Sequence, residues 1–483
     1  MVGARLIGWL GWAGLDSVLR LALLTGSTAI FSRLLDVRDF GTSAVVLIVI
    51  VVAAGIAGTP FEEALAQRPS LRKKHVETAW ATALFLAGVL FLLSFPAGYF
   101  VAAMLSAPEV SYLMPAAAGS LFFSAYMDIL RGLERRRRRF KELAIASVFG
   151  HLIGIVLAIA IALGGLGVWA LIAQRTAVVI VQAIIMAARA GFVIVPRFSM
   201  QHLRDVRRYA GFQLIDRLAD NLNYLILNYV TAALYGLWVL GVVNMALRFV
   251  EPLRGATLSN VHNLLFYYFS STNSEGGGVA NAAIDIIRRS ALAGAPVFIG
   301  LAAVSPLLLP ILAGPGWDDA IGVAACLAIG TAILLPSRLV FTMISTTGRP
   351  EFGMIANFLS ALTTLTALIL SMGLGPIGIG LARLAGDAAQ ACFALGLSQR
   401  TVGWSRYERL AAMLPGWLLS AGMGVLVFGF ITTVPEIDDR MALALAIILG
   451  VACYALATCV FAKSFARDVI AALPASSKTR GFA

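Results

Sequence analysis

Charged residues are scarce in this chain. Only 13% of its 483 residues are Asp, Glu, Lys or Arg, against 60% hydrophobic residues and a mean hydropathy of +0.88. That shortage excludes a water-soluble globular fold, which needs far more charge to cover its surface. Cysteine is equally sparse: Cys326, Cys392, Cys453 and Cys459 all lie in apolar stretches and form no CxxC pair, which argues against a disulfide framework or a zinc site. The four histidines are scattered, and neither an HExxH nor a P-loop string occurs. Connections between apolar stretches are too short to house a catalytic domain. Nothing points to an enzyme, a cofactor or a resident metal. Strand-like alternation is absent as well, which excludes a transmembrane barrel.

Long apolar runs are what the chain does have. Crossing about 30 Å of hydrocarbon takes roughly 20 residues at 1.5 Å each. Windows of that length recur near 9–32, 40–60, 77–104, 110–131, 142–163, 167–189, 208–233, 238–262, 283–312, 318–346, 352–374, 377–398, 408–433 and 441–462. In lipid the backbone must satisfy its own hydrogen bonds, so each window is read as a helix. The expected fold class is therefore an all-α polytopic membrane protein of about 14 transmembrane helices. The first window follows Arg5 and runs past twenty residues without a convincing cleavage site, so it is read as a retained helix.

Loop charges give this count an independent test, because Lys and Arg collect on the cytoplasmic side. With the N-terminus inside, inner loops hold Arg68, Arg72, Lys73 and Lys74, then Arg131 and the run Arg135 to Arg139, with further clusters near 197–208, 288–289, 400–409 and 463–480. Outer loops carry Asp36, Asp39, Glu109, Asp318, Asp319, Glu436, Asp438 and Asp439 and little basic charge. Both termini are thus expected in the cytoplasm. The formal charge of +12 is accounted for by membrane orientation and anionic lipid headgroups, and no nucleic-acid partner is expected.

The longest polar interruptions are 190–207 and 270–282, the second containing SSTNSEGGG. The first is taken as a lobe boundary. RLLDVRDFG ending at Gly41 compares with ALYGLWVLG ending at Gly241, an offset near 200 that suggests two related lobes. The expected organisation is an N-terminal lobe 1–196 (six helices), a C-terminal lobe 197–400 (six helices), two further helices over 401–465, and a cytoplasmic tail 466–483.

Several strings resemble the polysaccharide-transporter branch of the multidrug/oligosaccharidyl-lipid/polysaccharide (MOP) flippase superfamily, the Wzx-like flippases, over roughly residues 20–265. They are SRLLDVRDFG at 32–41, ALAQR at 64–68, RRRRFKELA at 136–144, GLGVWALIAQ at 165–174 and LGVVNMALRFVEP at 240–252. Val243, where such proteins often place Tyr, and Asn223, where many place Asp, depart from the pattern. The resemblance implies two pseudo-symmetric six-helix bundles flanking a cavity that opens alternately to each side of a bacterial inner membrane. It implies a polyprenyl-pyrophosphate-linked oligosaccharide as cargo, membrane lipids as surroundings, other polysaccharide-assembly proteins as candidate partners, and a proton or sodium gradient as the candidate energy source.

Charges inside the spans are the informative residues, since each needs a partner or a wet cavity. On the first helix Asp16 and Arg20 are an i,i+4 pair, read either as self-neutralising or as cavity-lining. The seventh carries Asp216, Arg217, Asp220, Asn221, Asn223 and Asn228. The eighth places Asn244, Arg248, Glu251 and Arg254 on one broad face. Given a diphosphate cargo, Arg248 is the leading ligand candidate, because a planar guanidinium binds phosphate bidentately; the rival is an Arg248 merely neutralised by Glu251. Arg20, Arg217, Asn244 and Arg254 join it as candidate substrate ligands. Asp16, Asp220, Glu251, Arg383 and Asp387 are candidates for ion coupling or charge pairing. Arg175 and Arg338 have no obvious local partner. A drug/cation antiporter of the same superfamily is the alternative, and a membrane glycosyltransferase or polymerase a more distant one.

Overall fold

The computed structural model describes residues 2–68, 70–191, 194–272, 278–346, 351–402, 406–433 and 438–462. Among them every regular element is helical. In chain order the helices are α1 (Val2–Leu34), α2 (Val37–Ala57), α3 (Thr59–Gln67), α4 (Lys73–Leu105), α5 (Val110–Ala118), α6 (Ser120–Arg136), α7 (Phe140–Leu163), α8 (Val168–Ala190), α9 (Met200–Thr272), α10 (Gly278–Ala313), α11 (Asp319–Thr346), α12 (Glu351–Leu370), α13 (Pro376–Val402), α14 (Arg406–Thr433) and α15 (Asp439–Phe461). All fourteen sequence windows fall on these helices to within a few residues. Among the described residues, eleven spans are long and apolar enough to cross a membrane.

Helix boundaries depart from the windows where the sequence supplies a reason. α2 stops at Gly58, and Thr59-Pro60 opens α3, with proline where a first turn has no amide to lose. The two windows 208–233 and 238–262 share α9, which turns at Gly236 with φ +86° and ψ 170°. That left-handed region is open to glycine and strained for other residues.

The chain packs as two compact units, Met1–Ala256 with Ala361–Ala382, and Thr257–Ser360 with Arg383–Ala483. These are packing groups, distinct in definition from the lobes expected above. Apolar attraction between helices is weak in lipid, so close backbone approach carries the association. In the first unit α7 supplies a ridge of small buried residues, Ala146, Gly150, Gly154, Ala158 and Ala162, one per turn. A Cβ at Gly150 or Gly154 would meet Gln182, Val178 or Gln174 of α8.

Gly41 and Gly241 form a tighter crossing. A Cβ at Gly41 would strike the Leu237 carbonyl oxygen, and one at Gly241 would strike that of Val37. Both partners are offset by 200 residues, so the two glycine-ended strings that compare in sequence also touch reciprocally, about a local two-fold relation. Tyr235 Oη donates to the Leu368 carbonyl at 2.9 Å, tying the 361–382 segment to this unit.

In the second unit α10, α11, α14 and α15 interlock through Gly294 on Leu335, Gly416 on Ala291 and Gly424 on Ile299. Trp417 Nε1 donates to the Ala332 carbonyl at 3.1 Å, and Tyr454 Oη to that of Leu292 at 2.6 Å.

Candidate functional site

Past the turn at Gly236, α9 carries Arg248 eleven residues beyond Leu237, roughly 16 Å along the helix axis. Helical side chains lean toward the N-terminus of their helix. Arg248 accordingly reaches back to the start of α2, where its Cζ lies 5.1 Å from the centroid of the Phe40 ring. Among the described residues it has no carboxylate and no hydrogen-bond partner, and it is half-buried. A cation on an aromatic face gains about 0.5–2 kcal/mol, whereas Arg at mid-bilayer costs about 2.5–3.5 kcal/mol on insertion scales. The ring alone does not offset the cost. Water or an anion must complete the site.

Glu251, the expected neutralising partner, is engaged elsewhere. Its Oε1 accepts from Arg254 Nη1 at 3.1 Å, and Arg254 is buried. The same helix face therefore divides into a closed pair, Glu251 with Arg254, and an open cation. One turn before Arg248, Asn244 Nδ2 donates to Asn228 Oδ1 at 3.2 Å and to the Leu240 carbonyl at 3.0 Å. Asn228 in turn donates to the Tyr224 carbonyl at 2.8 Å, and Tyr229 Oη to that of Val45 at 3.2 Å. These amides form a hydrogen-bonded group that ends one turn before Arg248.

The remaining candidates are dispersed. Arg20 on α1 is exposed. The side chains of Asp16, Asp216, Arg217 and Asp220 lie outside the described residues. In the second unit Arg383 Nη2 stands 3.4 Å from Asp387 Oδ1, with side chains 4% and 1% exposed. Asp387 presses on Gly330. Three residues on, Gln390 Nε2 donates to Asn357 Oδ1 at 2.8 Å. Within the second unit these four side chains form a buried polar seam.

A second charged cluster, outside the candidates expected from sequence, lies in the first unit. Glu62 of α3 takes Arg131 at 3.4 Å and Arg135 at 2.9 Å, and Asp128 takes Arg131 at 3.4 Å. Glycine makes room for it: a Cβ at Gly58 would meet the Asp128 carboxylate, and one at Gly132 the Glu62 backbone. The basic run next to it is similarly occupied. Arg137 and Arg139 pair with Glu134 at 3.1 and 3.8 Å, and Arg136 donates to the Arg68 carbonyl. Its signal was available, since Asp128 is an acid inside an apolar window.

Among the described residues no three His, Cys, Asp or Glu side chains converge as metal ligands.

Known proteins with which the chain compares fall in one group. The family model described as "Polysaccharide biosynthesis protein" matches residues 30–322. The succinoglycan biosynthesis transport protein ExoT of Rhizobium meliloti (strain 1021) is 27% identical over 333 residues, 68% of this chain and 66% of its own length. Among solved structures, the lipid II flippase MurJ in an inward closed conformation superposes with TM-score 0.75 at 12% identity, over 96% of this chain and 100% of that one. An inward-facing MATE family multidrug resistance transporter of the MOP superfamily follows with TM-score 0.59 at 17% identity, covering 80% of this chain and 98% of its own. This chain is a multi-pass membrane protein with the MOP-superfamily fold, and it belongs to the polysaccharide biosynthesis protein family.

Proposed function

We propose that the protein is a transporter and not an enzyme, moving a polyprenyl-pyrophosphate-linked oligosaccharide from the inner to the outer leaflet of a bacterial cytoplasmic membrane by alternating access. Family membership and the named roles of ExoT and MurJ support the cargo class. The observation that carries the reading in this chain is Arg248, a mid-span guanidinium with an aromatic ring beneath it and, among the described residues, no acid beside it. It offers two parallel N–H donors to a phosphate. The amides of Asn228 and Asn244 supply polar contacts nearby for a glycan, while the polyprenyl tail stays in lipid. Translocation of this kind makes and breaks no covalent bond. A drug/cation antiporter would place a net acid, not an open cation, at this depth.

We further propose the lobe assignment 1–196 and 197–400, with 401–465 as an appended helix pair, and a proton or sodium gradient as the driving force, with Asp220 as the candidate coupling residue. Transport that keeps its ion dependence in Asp220→Asn would remove that coupling role.

The decisive experiment is flux in cells lacking the native transporter. Arg248→Ala should reach the membrane yet strand lipid-linked oligosaccharide on the cytoplasmic leaflet, and Arg248→Lys should recover only part of the flux, because an ammonium cannot bind bidentately. Undiminished flux in Arg248→Ala would sink the ligand role.

A further inference from the structure

The first unit holds a second open arginine. Between Gly167 and Ile184 every residue of α8 is buried or half-buried except Arg175, which is exposed. Leu171, Ile172, Val178 and Val179, one turn to either side, are buried. On a helix those positions share its face, so Arg175 points into the bundle and its exposure is to an internal space, not to lipid. It stands eight residues into α8, roughly 12 Å from the helix start, where an exposed guanidinium requires water or an anion.

The local charge leaves it over. The charged groups acting on Arg175 are Arg131 and Asp128. Asp128 already faces Arg131 at 3.4 Å, and Glu62 is shared by Arg131 and Arg135. Two carboxylates thus face three guanidiniums, so the acids cannot neutralise the bases one for one. Among the described residues Arg175 itself forms neither an ion pair nor a hydrogen bond. A polar packing role would have used those donors.

We infer that Arg175 is an anion-binding residue, built to receive a phosphate or diphosphate group that enters the first unit. The anion can arrive on a lipid or free in water, and the lipid-borne case rests on the cargo reading above. Asp128 and Arg131 set the strength of the site: the acid weakens its positive field and the neighbouring guanidinium reinforces it.

The test uses the full-length protein in phosphatidylcholine nanodiscs, with farnesyl diphosphate as the lipid-borne probe and inorganic pyrophosphate as the free one. Wild type should bind farnesyl diphosphate. Arg175→Gln should weaken that binding by about tenfold or more, the loss of one charge-assisted bidentate contact, with an unchanged melting temperature, and Arg175→Lys should fall between them. Asp128→Asn should tighten binding several-fold, which a purely structural cluster does not predict. Binding of farnesyl diphosphate that is equal in wild type and Arg175→Gln overturns the inference and leaves the cargo reading standing. Pyrophosphate binding that Arg175→Gln abolishes, with no binding of the farnesyl form, supports the anion site and removes the lipid cargo. If Arg175→Gln does not fold, unchanged affinity in Asp128→Asn overturns the inference.

Discussion

Arg248 and Arg254 stand six residues apart on one helix and meet different surroundings. Arg254 is paired with Glu251 and buried; Arg248, among the described residues, has the Phe40 ring and no carboxylate. Removing the acid should therefore harm Arg254 and not Arg248. Glu251→Gln is expected to lower stability by about 1–3 kcal/mol, less than the 3–5 kcal/mol typical of a fully buried pair because Glu251 is partly exposed. Arg248→Gln should leave the melting temperature nearly unchanged while flux falls. For the same reason the double change Arg248→Met with Glu251→Met should restore neither folding nor flux, since it strips Arg254 of its acid. Asp387→Asn is the contrasting case: it leaves Arg383 buried without its carboxylate and should cost about 3–5 kcal/mol, read as a lower melting temperature and less protein in the membrane.

Helices in this protein are held by backbone proximity, and glycine decides where that is possible. The Gly41–Gly241 crossing brings each glycine against a carbonyl oxygen of the other segment. A side chain there has no flexible neighbour to displace. Gly41→Val and Gly241→Val should each destabilise by about 1–3 kcal/mol or more through overpacking, whereas Gly26→Ala on α1, with nothing within 4 Å of the added Cβ, should be neutral. Gly236→Ala should cost about 1–3 kcal/mol by a different route, the extended positive-φ backbone at φ +86° and ψ 170°, which glycine alone adopts readily. Thermal melts of the four purified variants separate the two effects, because a compensating small residue across the crossing can relieve only the first.

At the scale of the whole molecule the alternation of loop charge predicts an orientation with both termini inside. With basic loops inside, Asp318→Cys should react with an impermeant thiol reagent added to intact cells, and Lys141→Cys should react only after permeabilisation. Labelling of the Lys141 position from outside would overturn the orientation and the count of spans that precede it.

Hydropathy and the backbone's need for hydrogen bonds make the chain a helical membrane protein and fix where its helices lie, and both are read from sequence. Lipid leaves the backbone no partner but its own helix, so hydropathy alone places windows such as 142–163 on α7 and 441–462 on α15. The sequence also suggested the comparison of the strings ending at Gly41 and Gly241, and it marked Arg248 as a charge inside an apolar window. Tertiary structure decided which charges are closed and which are open. Spacings of three and four residues offer Glu251 to both Arg248 and Arg254, and only side-chain direction and the neighbouring helices assign it to Arg254. Glu62 and Asp128 are 66 residues apart in the chain, and no local pattern announces that Arg131 and Arg135 gather around them. Similarity at an offset of 200 likewise announces a repeat but not a contact: the two glycines touch because α2 and α9 cross there, a fact of packing and not of pattern.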